Sequence, residues 1–186
     1  MKNKTIQEKF WIGEFGKKYL KRGIENKKEN RILTMGKNLI NNNVQIKDIL
    51  ELGCNKGQNL DALKKIYTNL NTNGVEINKQ AYTICKKKHK CFNTSILDFK
   101  TKRKYDLVFT SGVLIHQDPK FLKDIYKKIV NYSKRYIYIS EYFSSYPVTI
   151  KYRGYKNQLF KRDFAKEIWL KYPKLKLVNY GFNWKE

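Results

Sequence analysis

The feature that most constrains this chain is a regular alternation of short β-type runs with helical patterns. Lys47–Leu52 is a β run that ends at Glu51-Leu52-Gly53, and Leu60, Leu63, Ile66 and Tyr67 mark one face of the helix after it. Val75–Ile77 ends a second strand, Asn78–Lys88 reads as a helix, and Cys91–Ser95 is a weaker third strand. Tyr105–Thr110 is the clearest strand. After it, Asp118-Pro119 places an Asx cap and a proline at the start of a helix carrying Phe121, Leu122, Ile125, Tyr126, Ile129 and Val130 on one face. Arg135–Glu141 is a fifth strand, Arg162–Tyr172 a helix, and Leu175–Tyr180 the last strand. Strands separated in this way by helices predict an α/β fold: a mostly parallel sheet of six or seven strands with helices on both faces. Ligands of such sheets sit beyond the carboxyl ends of the strands, where strand order reverses.

Ahead of this alternation, Ile6, Phe10, Trp11, Phe15 and Tyr19 recur at helical spacing and predict a helix over 5–20, closed by Gly23. A second helix is expected over about 28–40, ending at Asn41–Asn43. The predicted organisation is a pair of N-terminal helices in 1–45 covering the ligand end of a core in 46–186. That core carries an acceptor-side insertion at about 142–160, expected to be an irregular connection.

The turn after the first strand carries the first chemical signal. Gly53 and Gly57 flank it, with Asn55 between them, and glycine lets main chain approach a ligand closely. A dinucleotide loop has a Gly-x-Gly-x-x-Gly pattern, which this segment lacks. Glu51 stands just before the turn, where a carboxylate suits a cationic amino-acid head group and repels a pyrophosphate. Glu76 closes the second strand beside Ile77, placed to accept both hydroxyls of a ribose. Asp98 and Phe99 follow the third strand, where an acceptor for an adenine amino group and a ring to pack on it are expected.

These residues resemble the class I S-adenosylmethionine (SAM)-dependent methyltransferases, a Rossmann-like family. The resemblance implies that the glycine loop wraps the methionine portion of SAM, that Glu76 holds the ribose, and that Asp106-Leu107-Val108-Phe109-Thr110 lines the methyl-transfer side. Asn55 departs from the family's middle glycine, and the family's seventh, antiparallel strand is expected to be shortened or missing. Longer segments are similar to the pseudaminic acid biosynthesis-associated methylases: FWIGEFGKKYLKR from Phe10, ILELGCNKGQNLDAL from Ile49, VEIN from Val75, YDLVFTSGVLIHQDP from Tyr105, EYFSSYPVTIKYRGYKNQLFKRDFAKEI from Glu141 and YPKLKLVNYGF from Tyr172. That resemblance implies a sugar or nucleotide-sugar acceptor in nonulosonic acid biosynthesis.

Methyl transfer to a hydroxyl benefits from a positioned base. His116, past the fourth strand on the ligand side, is the candidate, with Glu141 at the end of strand five orienting it or binding the acceptor. Tyr142, Tyr152, Arg153, Lys161 and Arg162 are the expected acceptor wall, their cations suited to a carboxylate or phosphate. Trp11 and Tyr19 are expected to lid the cofactor and Arg22 to reach its carboxylate.

The 40 Lys and Arg against 16 Asp and Glu give a formal charge of +24, spread along the chain rather than gathered into one stripe. Such a field attracts acidic small molecules and also nucleic acid, so an RNA or DNA methyltransferase is the first rival reading. No base-stacking Asn/Asp-Pro-Pro-Tyr/Phe motif follows strand four to support it. The second rival is a SAM-fold protein that binds without catalysing. A nicotinamide oxidoreductase ranks lower on the glycine spacing and Glu51. The three cysteines, Cys54, Cys85 and Cys91, lack Cys-x-x-Cys spacing and support neither a disulfide framework nor a zinc site, so no metal is expected. A reducing, cytoplasmic setting and a monomer or homodimer are expected. No stretch reaches the apolar length of a transmembrane helix, and the N-terminus carries no signal-like apolar core.

Overall fold

Alternating apolar residues set the two faces of the sheet. In β1 (Asp48–Leu52), Leu50 and Leu52 face one core and Ile49 the other; in β4 (Tyr105–Ser111), Val108 joins the first core and Leu107 and Phe109 the second. Both faces are therefore buried, as a parallel sheet requires. On one side Leu122, Ile125 and Ile129 of α5 (Leu122–Tyr132) and Phe164 and Ile168 of α6 (Phe164–Lys171) complete the core. On the other, Leu60 and Leu63 of α3 (Gln58–Ile66) do so. Burying each such side chain stabilises the fold by roughly 1.5–3 kcal/mol.

The computed structural model describes residues 4–21, 39 and 43–182. Arg22 and the helix expected over about 28–40 fall outside them, apart from the buried Leu39. The remaining strands of the main sheet are β2 (Asn71–Val75), β3 (Lys90–Phe92) and β5 (Ser133–Ser140), with α4 (Lys79–Cys85) between β2 and β3. The strand order is β3-β2-β1-β4-β5 and every pairing is parallel. The order reverses between β1 and β4, which fixes where a ligand crevice opens.

Among the described residues the main sheet thus has five strands, and two more form a separate antiparallel hairpin, β6 (Val148–Tyr152) and β7 (Tyr155–Lys161). The hairpin replaces much of the irregular connection expected at about 142–160. Arg153 and Gly154, at φ 49° and 91°, supply the positive dihedrals that a two-residue hairpin turn demands. The strand expected over Leu175–Tyr180 does not form. Tyr172 and Leu175 pack against the main core, but Leu177, Val178 and Tyr180 stay exposed, and the alternation there finds no ladder to join.

At the N-terminus the single expected helix is two: α1 (Ile6–Ile12) and α2 (Glu14–Leu20), parted at Gly13. A Thr5–Glu8 capping box starts α1, with the Glu8 amide donating to Thr5 Oγ1 at 3.0 Å and the Thr5 amide to Glu8 Oε2 at 2.8 Å. Gly16 lets the two helices fold back on each other, since a Cβ there would collide with the Trp11 carbonyl. Among the described residues no helix is long and apolar enough to cross a membrane.

Candidate functional site

The cavity at the switch point is built first by main chain. The Gly53 and Cys54 amides both donate to the Val75 carbonyl, at 2.8 and 3.0 Å, which folds the β1–α3 turn over the end of β2. Gly53 and Gly57 hold φ of 78° and 80°, and a Cβ on Gly53 would come within 2.7 Å of Val113. Asn55, where the family that the sequence resembles carries a middle glycine, also adopts positive φ, 50°. Asparagine tolerates that region better than other residues with a Cβ, so the loop keeps its course without the glycine.

Two carboxylates face this loop. Glu51 is 1% exposed and accepts from Asn59 Nδ2 at 2.6 Å. Glu76, just past β2, accepts the Asn55 amide at 2.8 Å on one oxygen and the Asn78 amide at 2.6 Å on the other. Burial pushes the Glu76 carboxyl up, against the pull of those amides. Glu76 therefore ties the glycine loop to the start of α4 while standing at the cavity wall.

Beside the glycine loop a 3-10 turn, Leu114–His116, follows β4, starting from the Val113 that packs against Gly53. Glu141 caps it: one carboxylate oxygen accepts the Val113 and Leu114 amides, each at 3.1 Å, and the other the Ile115 amide at 3.4 Å. These bonds hold the turn that carries His116, and burial raises the Glu141 pKa to about 7. His116 is 6% exposed, and its Nδ1 lies 2.6 Å from the Gln158 carbonyl in β7. A carbonyl can only accept, so Nδ1 carries the proton and Nε2 is left with a lone pair. Burial lowers the His116 pKa to about 4, which keeps the ring neutral.

The N-terminal helices roof the cavity. Trp11 packs edge-on to His116 at 4.9 Å and to Tyr19 at 5.2 Å, and Tyr152 of the hairpin lies 4.8 Å from His116 on ring centroids. The roof is latched at both sides: Asn78 Nδ2 donates to the Trp11 carbonyl at 2.9 Å, and Gln7 Nε2 to the Asn157 carbonyl at 2.9 Å. Counted together with the open solvent at its mouth, the cavity spans about 1020 Å³.

Of the expected residues, Trp11, Tyr19, Glu51, Gly53, Asn55, Glu76, Ile77 and His116 line this one cavity. Others lie elsewhere. Gly57 starts α3 behind the loop. Asp98 pairs with Lys4 at 3.2 Å, and Phe99 is packed in the core against Phe92 and Tyr132; Ser95 and Ile96 line the wall where those two were expected. Thr110 is fully buried beside the Glu141 carboxylate. Asp106 sits at the opposite end of β4, accepting the Lys47 and Asp48 amides. Of the expected acceptor wall, Tyr152 packs on the lining residue His116. Arg153 stacks over Tyr152 at 5.7 Å and Lys161 over Tyr142 at 5.7 Å, one layer further out, while Arg162 is committed to Glu167 at 3.0 Å. Gln7, Asn78, Ser95, Ile96 and Gln117 were not anticipated; only Asn78, a polar residue one step beyond Ile77 and before a helix, carried a legible cap signal.

His116 and Glu141 pull stability in opposite directions with pH. The buried neutral histidine, lowered from 6.5 to about 4, contributes stability that is complete above 6.5 and lost as pH falls towards 4. The carboxyl raised from 4.5 to about 7 binds its proton more tightly when folded, so its contribution is lost as pH rises from 4.5 past 7. Chemical denaturation between pH 4 and 8 is therefore expected to show stability rising with pH in Glu141→Gln and falling with pH in His116→Gln, by up to roughly 3 kcal/mol each. Parallel slopes in the two variants would contradict this assignment.

No protein-family model and no curated protein matches the sequence. The fold does match solved structures. The plantazolicin methyltransferase BpumL, bound to a substrate analogue and S-adenosylhomocysteine (SAH), superposes with a TM-score of 0.61 at 18% identity, over 73% of this chain and 57% of BpumL. Coclaurine N-methyltransferase, bound to N-methylheliamine and SAH, gives 0.62 at 12% identity, over 78% of this chain and 48% of that one. The sugar N-methyltransferase KedS8 from Streptoalloteichus gives 0.54 at 12% identity, over 83% and 65%. The chain spans about half to two thirds of the length of these proteins. It has the fold of the class I SAM-dependent methyltransferases.

Proposed function

We propose that the chain is a SAM-dependent methyltransferase that methylates a hydroxyl of a small acidic acceptor, a sugar or nucleotide-sugar. The observation that carries this reading is the neutral His116, its Nδ1 proton committed to a carbonyl and its ring on the wall of the same cavity as Glu76. The residues fit SAM: Gly53 leaves no room for a side chain where the main chain meets the cavity, and Glu76 and Glu51 supply acceptors for a ribose and an ammonium group. Bound SAM supplies an electron-poor methyl group on a sulfonium.

The chain's own contribution is alignment and proton removal. Glu76 and the glycine loop set the nucleoside end, and the Trp11–Tyr19 roof excludes water. His116 Nε2 takes the acceptor hydroxyl proton as the oxygen attacks, and the Gln158 carbonyl steadies the imidazolium by accepting from Nδ1–H. The roof confines the acceptor to a small molecule. Arg153 stacks on Tyr152, which packs on His116, and a cation one ring from His116 suits a carboxylate or phosphate. KedS8 is described as acting on a sugar, and the resemblance to the pseudaminic acid-associated methylases supports the same class.

The test has two steps: calorimetry with SAH, then a labelled-methyl screen over nucleotide sugars, free acidic sugars and RNA. Micromolar SAH binding and transfer to a sugar are expected. SAH binding with transfer only to RNA would move the protein to the nucleic-acid rival. Absence of SAH binding would remove the methyltransferase reading.

A further inference from the structure

The fold assembles a cluster that the spacing of its members along the chain did not show. Cys54 in the β1–α3 turn, Cys85 at the end of α4 and Cys91 in β3 bring their three sulfurs within 4.8 Å of one another. Cys85 and Cys91 are bonded as a disulfide, across a Cα separation of 6.5 Å, and Cys54 Sγ lies 3.6 Å from Cys85 Sγ. The reading of unpaired cysteines is thereby corrected. The three residues lie in different elements, but only a four-residue turn separates α4 from β3, and β2 lies between β3 and the β1 turn.

The surroundings make room for sulfur. A Cβ on Gly74, in β2, would collide with Cys54 Sγ and come within 3.4 Å of Cys91 Sγ. A Cβ on Gly57 would lie 3.0 Å from Cys85 Sγ. Two glycines from separate segments thus leave the space around all three sulfurs. Among the described residues no further His, Asp or Glu joins the three as a donor, so an ion held there has three ligands, all sulfur. Three-sulfur coordination suits soft thiophilic ions and is poor for magnesium or calcium, which take oxygen.

We propose that Cys54, Cys85 and Cys91, once the bridge is reduced, form a three-sulfur site for a single soft, three-coordinate ion. The reduction is a two-electron step: a phosphine, with one water, breaks the Cys85–Cys91 bond to leave two thiols and the phosphine oxide, or two cellular thiols break it to leave two thiols and their own disulfide. Burial and the nearby carboxylates of Glu51 and Glu76 disfavour a net negative charge on the cluster. A trivalent ion, neutral with three thiolates, is the best match. Arsenous acid serves as the probe: it condenses with three thiols to form three As–S bonds and releases three waters, with no change in oxidation state.

The full chain, reduced with a phosphine, is titrated with arsenite and followed by native mass spectrometry and by the thiol count under denaturing conditions. One arsenic per chain with all three thiols blocked is expected. Cys54→Ser and Cys91→Ser each leave a two-sulfur site, and roughly 100-fold weaker retention is expected of both, from the loss of one arm of the chelate. Three results would each overturn the proposal: no arsenic bound by the reduced chain, binding that consumes two thiols, or retention in Cys54→Ser equal to that of the parent. A bridge that the phosphine opens only after denaturation would overturn it as well, since the pair would then be a structural disulfide. None of these outcomes depends on methyl transfer, so the proposal and the enzymatic reading stand or fall separately.

Discussion

His116→Ala is expected to lower kcat by roughly 10²–10⁴-fold while changing the Kd for SAH by less than about threefold. The split follows from the geometry. His116 stands on the 3-10 turn after β4, and the hydrogen bonds that tie Glu76 to the Asn55 and Asn78 amides do not involve its ring. The variant does lose the bond to the Gln158 carbonyl, which costs about 1–3 kcal/mol of stability, so activity is compared at a temperature where both proteins are folded. A second readout separates chemistry from packing. The ring must be neutral to accept a proton, and its pKa lies at about 4. Wild-type kcat/KM is therefore expected to hold down to about pH 5 and fall as pH drops through 4. A limb near the ordinary histidine value, or a variant with unchanged kcat, would remove His116 as the base.

Glu76→Ala is expected to weaken SAH binding by roughly 100-fold or more. The carboxylate closes the β2 end of the cavity and holds the Asn55 and Asn78 amides at 2.8 and 2.6 Å. Removing it strips the acceptor proposed for the ribose and also frees the glycine loop from the start of α4. Hydrogen bonds to a charged group contribute about 1.5–3 kcal/mol each, and losing two corresponds to at least two orders of magnitude in affinity. Glu76→Gln retains one acceptor oxygen and should fall between the parent and Glu76→Ala. Calorimetry with SAH measures all three. Equal affinities would place the ribose elsewhere.

The parallel sheet and the position of the cavity were legible because they rest on local signals: apolar runs of strand length, helix periodicity, and glycines at a strand–helix turn. Glu51, Glu76 and His116 were legible for the same reason, since each stands at a fixed step from the carboxyl end of a strand. Asp98 and Phe99 show the limit of such counting. They follow β3 closely, but the chain turns at Ser95 and Ile96 before reaching them, and the ring of Phe99 goes to the core. The hairpin was missed although VTIKY and YKNQLFK flank Arg153-Gly154, a turn signal outweighed by the expectation of a long loop. Arg162 read as a substrate ligand because charge on a loop is visible in sequence and the Glu167 that neutralises it is not. The Leu175–Tyr180 pattern was strand-like, but a strand exists only where an edge accepts it. The cysteine cluster depended on the long-range placement of Cys54 beside Cys85 and Cys91, which Cys-x-x-Cys counting does not reveal.

A crystal structure of the chain with SAH tests the central claim most directly. The account predicts the two ribose hydroxyls against the Glu76 carboxylate, the amino-acid portion along Gly53–Asn55 near Glu51, and the sulfur turned towards His116. SAH bound with its ribose away from Glu76, or with its sulfur on the far side of the cavity from His116, would contradict it.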